Sequence, residues 1–205
     1  MTPERPQNLS AAEARSRLEK GNRRFQADQD SHPRNDADRR DEVASGQNPF
    51  ATILTCSDSR VPPELIFDMG LGDLFVIRVA GNIVDDAVLG SIEFAAGHLG
   101  VNLVVVMGHG SCGAVKATVA NVDVFGPATH DHVDALIDEI KPAVRTAKAK
   151  GNDDVLQRSI EENALLVAEK IRRSEPILAG LCWKGVEVLA ANYDLEDGGV
   201  RWLGS

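Results

Sequence analysis

The 205-residue chain has no run approaching the roughly 18 apolar residues that cross a membrane, and its opening Met-Thr-Pro-Glu-Arg-Pro-Gln-Asn lacks the apolar stretch of a secretory signal. Basic residues are short: 22 Lys and Arg stand against 31 Asp and Glu, a formal charge of −9. That sign excludes a general nucleic-acid binder and a protein drawn to anionic lipid. Cysteines are few and odd in number, three in all, which excludes a disulfide framework and leaves thiols free for metal or redox chemistry. Internal repeats and low-complexity segments are absent as well. What is present suits a soluble cytoplasmic protein without nucleic-acid or membrane partners. With 43% hydrophobic and 26% charged residues, the chain can bury one sizeable core, so residues 1–205 read as one domain.

Ser10-Ala11-Ala12-Glu13 has the spacing of a capping box and predicts a helix start. The apolar stripe of that helix is thin, chiefly Ala14, Leu18 and Phe25, and residues 26–48 are polar and charged, so 1–48 reads as a helical arm and linker. From Phe50 onward, short apolar runs alternate with helical patterns, as strands of a covered parallel sheet alternate with crossover helices. Strands are expected at Phe50–Thr55, Leu74–Arg78, Asn102–Met107 and Val186–Ala191, with Val200–Leu203 as a last edge strand. Helices are expected after Pro62-Pro63, over Asp86–Leu99, from Gly113, and over His130–Arg173 with a break near Lys150-Gly151-Asn152.

Two loops directly follow apolar strands, where open α/β sheets place their ligands. They are Cys56-Ser57-Asp58-Ser59-Arg60 and Gly108-His109-Gly110-Ser111-Cys112-Gly113. Cys112 and His109, with two residues between them, can share one small ion, and Cys56 from the other loop is the natural third soft ligand. Three protein ligands leave tetrahedral zinc one open position, the arrangement that suits hydration or hydrolysis. Asp58 and Arg60 beside the ligands can orient whatever the metal binds. The glycines around His109 lack the context of a nucleotide loop; their expected role is tight turns and close backbone approach to the metal and its ligand.

With Cys-x-Asp-x-Arg followed by His-x-x-Cys, the sequence resembles the β-class carbonic anhydrases from about Gly21-Asn22-Arg23-Arg24-Phe25 to Tyr193-Asp194. The resemblance implies an α/β fold with a mainly parallel sheet of order 2-1-3-4, flanked by helices, in a homodimer or tetramer. It implies one zinc ion per subunit on Cys56, His109 and Cys112, and an Asp58–Arg60 dyad. Gln47, Phe75 and Phe94 would shape the carbon dioxide pocket, some of them across a subunit interface, and the Gly113 amide would help hold bicarbonate. His98 matches a position proposed for proton transfer in some relatives; an ordinary surface histidine is the competing reading.

The chain departs from the family pattern in places. Ile53 stands where the branch with a second, inhibitory bicarbonate site has tryptophan, although Arg78 and Tyr193 match the rest of that pocket. Phe94 replaces a tyrosine common among relatives, and Val79-Ala80-Gly81-Asn82 is looser than the usual Arg-Asn-x-Ala-Asn. The remaining candidates take plain roles: His130 and His132 in a solvated loop, His32 in the linker, and Cys182 as a buried helix cysteine.

The implied reaction is reversible hydration of carbon dioxide to bicarbonate and a proton through a zinc-bound hydroxide. Two thiolates and an imidazole neutralise the ion, so activity is expected to rise toward alkaline pH. Asp58 has two competing roles: paired with Arg60 it orients the attacking oxygen, and released it becomes a fourth ligand that closes the site. Rival functions are hydrolysis of another cumulated substrate such as carbon disulfide, a noncatalytic zinc sensor closed by Asp58, and a cysteine nucleophile activated by His109.

Overall fold

A computed structural model describes residues 8–124, 131–151 and 153–204. Its sheet has the order β2-β1-β3-β4-β5, with β1 Ala51–Thr55, β2 Leu74–Arg78, β3 Leu103–His109, β4 Glu187–Tyr193 and β5 Val200–Leu203. The first four strands are parallel, and β5 returns antiparallel to β4, so both the expected order and the last edge strand are found. The helices are α1 Ala11–Gln26, α2 Ala37–Val43, α3 Pro63–Ile66, α4 Asp86–His98, α5 Gly113–Asn121, α6 Val133–Ala149, α7 Val155–Arg172 and α8 Leu178–Trp183. The long helical stretch thus divides into α6 and α7, with Asp154 left-handed at the entry to α7. His130 and Asn152, placed by the sequence at the start and the break of that stretch, lie outside the described residues. Among the described residues, no helix is long and apolar enough to cross a membrane.

Alternation along the strands divides the core. Ile53, Val105, Met107, Ala191 and Tyr193 face one layer with Leu18 of α1 and Phe67. Leu54, Val104, Val106, Val188 and Ala190 face the other, under α4, α7 and α8. Each large apolar side chain so buried contributes about 1.5–3 kcal/mol. Strands β1 and β3 are buried along their whole length, whereas β2, at the open edge, is only partly covered. A third apolar cluster of Ile140, Val144, Ile160 and Val115 closes over the strand ends and includes Cys56 and Cys112.

Helix α1 carries the expected capping box, Ser10 with Glu13, and despite its thin stripe it docks on its own sheet layer. Small size and polar bonds make this work. A Cβ on Gly21 would lie 1.7 Å from the Phe67 carbonyl oxygen, so only glycine lets the helix approach that backbone. The Asn22 amide donates to the carbonyls of Ile66 and Gly198 at 3.1 and 2.8 Å and accepts from the Val200 N–H at 2.9 Å. The segment after α1 contains α2, capped by Asp36, and is fastened by charge. Asp68, its side chain fully buried, accepts from Arg24 and from the amides of Ser31 and His32; Asp73 accepts from Arg34, Arg17 and the Gly70 amide. Cys182 does lie in a helix, α8, but only half-buried, because its neighbour Trp183 is 92% exposed and leaves that end of the helix uncovered.

Burial pushes the Asp68 carboxyl up, but the Arg24 and Ser31–His32 hydrogen bonds together outweigh it and set the group below its ordinary value. Its stabilisation is therefore complete above the ordinary carboxylate range and is lost as pH falls toward the folded value. Asp68→Asn is expected to cost about 2 kcal/mol at neutral pH and less in acid, read by urea titrations at several pH values. An equal loss at every pH would contradict this. Gly21→Ala, forced to part α1 from the Phe67 backbone, is expected to lower the unfolding free energy by about 2 kcal/mol or more in the same titration.

Candidate metal centre

The parallel pairing of β1 with β3 sets Thr55 opposite Met107, and the Thr55 hydroxyl donates to the Met107 carbonyl at 2.9 Å. Cys56 follows one strand end and His109 finishes the other, at the point where the chain's path reverses across the sheet. Ser111 takes φ +55°, and Cys112 then caps α5. The left-handed position of this turn is therefore a serine. A Cβ on Gly110 or Gly113 would meet no neighbouring protein atom within 4 Å, whereas one on Gly108 would lie 3.1 Å from Ile160.

One ligand atom from each of Cys56, His109 and Cys112 lies within 4.8 Å of the others, and all three residues are buried. The His109 Nδ1 lies 2.9 Å from the Gly110 carbonyl. A carbonyl only accepts, so Nδ1 carries the hydrogen and Nε2 presents its lone pair. That Nε2 is buried without a hydrogen-bond partner. A buried polar atom so left costs free energy unless something accepts its lone pair, and a divalent cation between two sulfurs does. The two thiols are displaced in opposite directions: interaction with the Cys112 side chain, helped by the Gly81 amide, outweighs burial and pulls Cys56 toward thiolate, while the same pairing and burial push Cys112 up. The donor set fits a soft or borderline ion such as zinc, which would take both sulfurs deprotonated.

Beside this group, Arg60 grips Asp58 as a fork, Nε to Oδ1 at 2.9 Å and Nη2 to Oδ2 at 2.8 Å, and the Arg60 amide adds a bond at 3.0 Å. The Arg60 hydrogen bond, stronger than the opposing burial, holds the Asp58 carboxyl well below the usual carboxylate range. Asp58 Oδ2 also lies 3.9 Å from His109 Nε2, so the anion faces the ligand set. Arg78, at the end of β2, donates from Nε to the Cys56 carbonyl at 3.0 Å and from Nη2 to the Asp58 carbonyl. It holds the loop, a duty the sequence did not signal. The Gly81 amide, 3.3 Å from the Cys56 sulfur, was also missed; the looser Val79-Ala80-Gly81-Asn82 turn was its only trace.

Phe75 on β2 and Phe94 on α4 have ring centroids 6.3 Å apart, and Phe94 lies 5.3 Å from the His98 ring. Phe94 is 46% exposed, and His98 and Gln47 are exposed too. Gln47 makes no hydrogen bond to the ligand group among the described residues. Gly113 is the first residue of α5, directly after Cys112, and His132 precedes α6. The linker residue His32 donates its backbone amide to Asp68. Tyr193 is buried in the layer with Ile53.

Residues 51–200 match the family described as carbonic anhydrase. Carbonic anhydrase 2 of Mycobacterium tuberculosis is 40% identical over 195 residues, covering 93% of this chain and 92% of that one. The carbonic anhydrase of Mycolicibacterium smegmatis is 39% identical over 194 residues, covering 95% and 94%. Among solved structures, a Coccomyxa β-carbonic anhydrase superposes with a TM-score of 0.70 at 29% identity, covering 80% of this chain and 75% of that one. One of two tetrameric β-carbonic anhydrases from Sordaria macrospora gives 0.70 at 25% identity, covering 88% and 90%. With its Cys/His/Cys group at the switch point of a 2-1-3-4-5 sheet, the chain belongs to the carbonic anhydrase family, in the β class.

Proposed function

We propose that Cys56, His109 and Cys112 hold one zinc ion per chain and that the protein uses it to convert carbon dioxide and water into bicarbonate and a proton, reversibly. The observation that carries this is the buried, unpartnered His109 Nε2 beside two thiols and facing the Asp58–Arg60 fork. Zinc in that donor set supplies acidification of a bound water, weaker than with three neutral ligands because two thiolates cancel its charge.

The remaining work falls to the chain. Arg60 keeps Asp58 anionic and fixes its carboxylate, which accepts a hydrogen bond from the attacking oxygen and so turns a lone pair toward carbon dioxide. The Gly113 amide, at the start of α5, offers a donor to the bicarbonate that forms. Gln47, Phe75 and Phe94 shape the carbon dioxide pocket when a second copy adjoins the open β2 edge; the exposed Gln47 and Phe94 beside a half-covered Phe75 support a homodimer, or a tetramer built from dimers. His98, beside Phe94 in that cluster, carries the released proton outward. Asp58 tied to Arg60 through both oxygens supports a site open to solvent; release of Asp58 onto the metal would give the closed form. Two thiol ligands that must stay reduced suit the cytoplasm.

Stopped-flow hydration assays with a pH indicator test this reading. Zinc-dependent proton release that climbs from neutral to alkaline pH is expected, and its absence at every pH would sink the proposal. Because Asp58 is held below the usual range, it stays charged throughout the neutral and mildly acid region, so its own titration does not set that climb. Asp58→Ala and Arg60→Ala are each expected to lower kcat/KM by about a hundredfold with zinc content retained. Cys112→Ser is expected to drop zinc below one ion per chain by elemental analysis, and activity with it.

A further inference from the structure

We propose that Asn163 on α7 is a positioning residue for the metal centre, fixing through Gly81 the amide hydrogen bond that aims the Cys56 sulfur. The inference rests on the reading of Cys56, His109 and Cys112 as metal ligands.

Asn163 lies in the middle of α7 and is 2% exposed. Asparagine is a poor choice for a buried helix interior, because it favours non-helical backbone and its amide must be desolvated. Its Nδ2 donates to the Gly81 carbonyl at 2.8 Å, across 82 residues of sequence. The Gly81 N–H in turn donates to the Cys56 Sγ at 3.3 Å. These two groups belong to successive peptide planes joined at the Gly81 Cα, and glycine is the residue least able to hold their relative angle by itself. Gly81 has φ +71°, and a Cβ there would lie 2.6 Å from Ile140 Cδ1 and 3.1 Å from Ala114, so no other residue fits without displacing its surroundings. The turn is thus obliged to be glycine, and the stiffness that glycine lacks comes from Asn163. A ligand sulfur that accepts a fixed N–H is oriented and has part of its negative charge compensated, the general effect of groups just outside a coordination sphere.

The test uses the full chain loaded with cobalt(II) for thiolate-to-metal absorption and chelator competition, and with cadmium-113 for NMR. In the wild type, the Gly81 amide proton is expected to show scalar coupling to cadmium through the Cys56 sulfur. Asn163→Leu, similar in volume but without a donor, is expected to lose that coupling, shift the cobalt–thiolate band and weaken metal binding about tenfold. Asn163→Ser, too short to reach the carbonyl, is expected to do the same and serves if the leucine variant folds poorly. Val167→Ala, on the same helix but facing the core layer under α4, lowers stability without touching Gly81 and is expected to leave band and coupling unchanged. Coupling and affinity within about twofold of wild type in a folded Asn163 variant would overturn the proposal, as would an equal loss in Val167→Ala or no coupling in the wild type. A wild type that takes up cobalt without any thiolate band would instead overturn the metal-centre reading, and this inference with it.

Discussion

The parallel register of β1 on β3 is the constraint from which the centre follows. Thr55 stands opposite Met107, and the side-chain bond between them ties the two strand ends together. A slip of one residue would turn every side chain to the opposite face, taking Ile53 and Met107 out of one core layer and Leu54 and Val106 out of the other. Burial on both faces therefore fixes the register, and the register fixes how closely the Cys56 and His109 loops meet. The chemistry at the strand ends inherits its precision from apolar packing below it.

Around that meeting point, backbone groups do much of the electrostatic work. The Gly110 carbonyl selects the histidine tautomer, the Gly81 amide faces one sulfur, and Arg78 ties down the carbonyls of Cys56 and Asp58. Each interaction orders a donor or anion before any substrate arrives, so less reorganisation remains for the reaction itself. The Asp58–Arg60 fork belongs to the same scheme: a carboxylate held charged and in one orientation is a better hydrogen-bond acceptor than one that wanders.

Much of this was legible in the sequence because it depends on local pattern. Apolar runs followed by Cys56-Ser57-Asp58-Ser59-Arg60 and by the His109–Cys112 loop marked strand ends carrying candidate ligands, and Ser10 with Glu13 marked the first helix. What escaped depends on contacts between distant segments. Asn163 has no partner within its own helix pattern, and only the folded chain brings it to Gly81. The docking of α1 was hidden for a related reason: Gly21 and Asn22 are neither apolar nor periodic, yet close backbone approach and three hydrogen bonds seat the helix. The glycines around His109 suggested tight turns there, while the left-handed residue of that loop is Ser111.

The fastening of the N-terminal region has a consequence of its own. Arg17, Arg24 and Arg34 converge on just two acidic anchors, Asp68 and Asp73, whereas the strands are held by apolar contact. Acid that protonates Asp68 acts on that attachment and leaves apolar contact untouched, while burial of both carboxylates shields these pairs from salt. Vinegar would thus undo one strap of the N-terminal arm while the oil-like seat of Leu18 in the same arm keeps its grip.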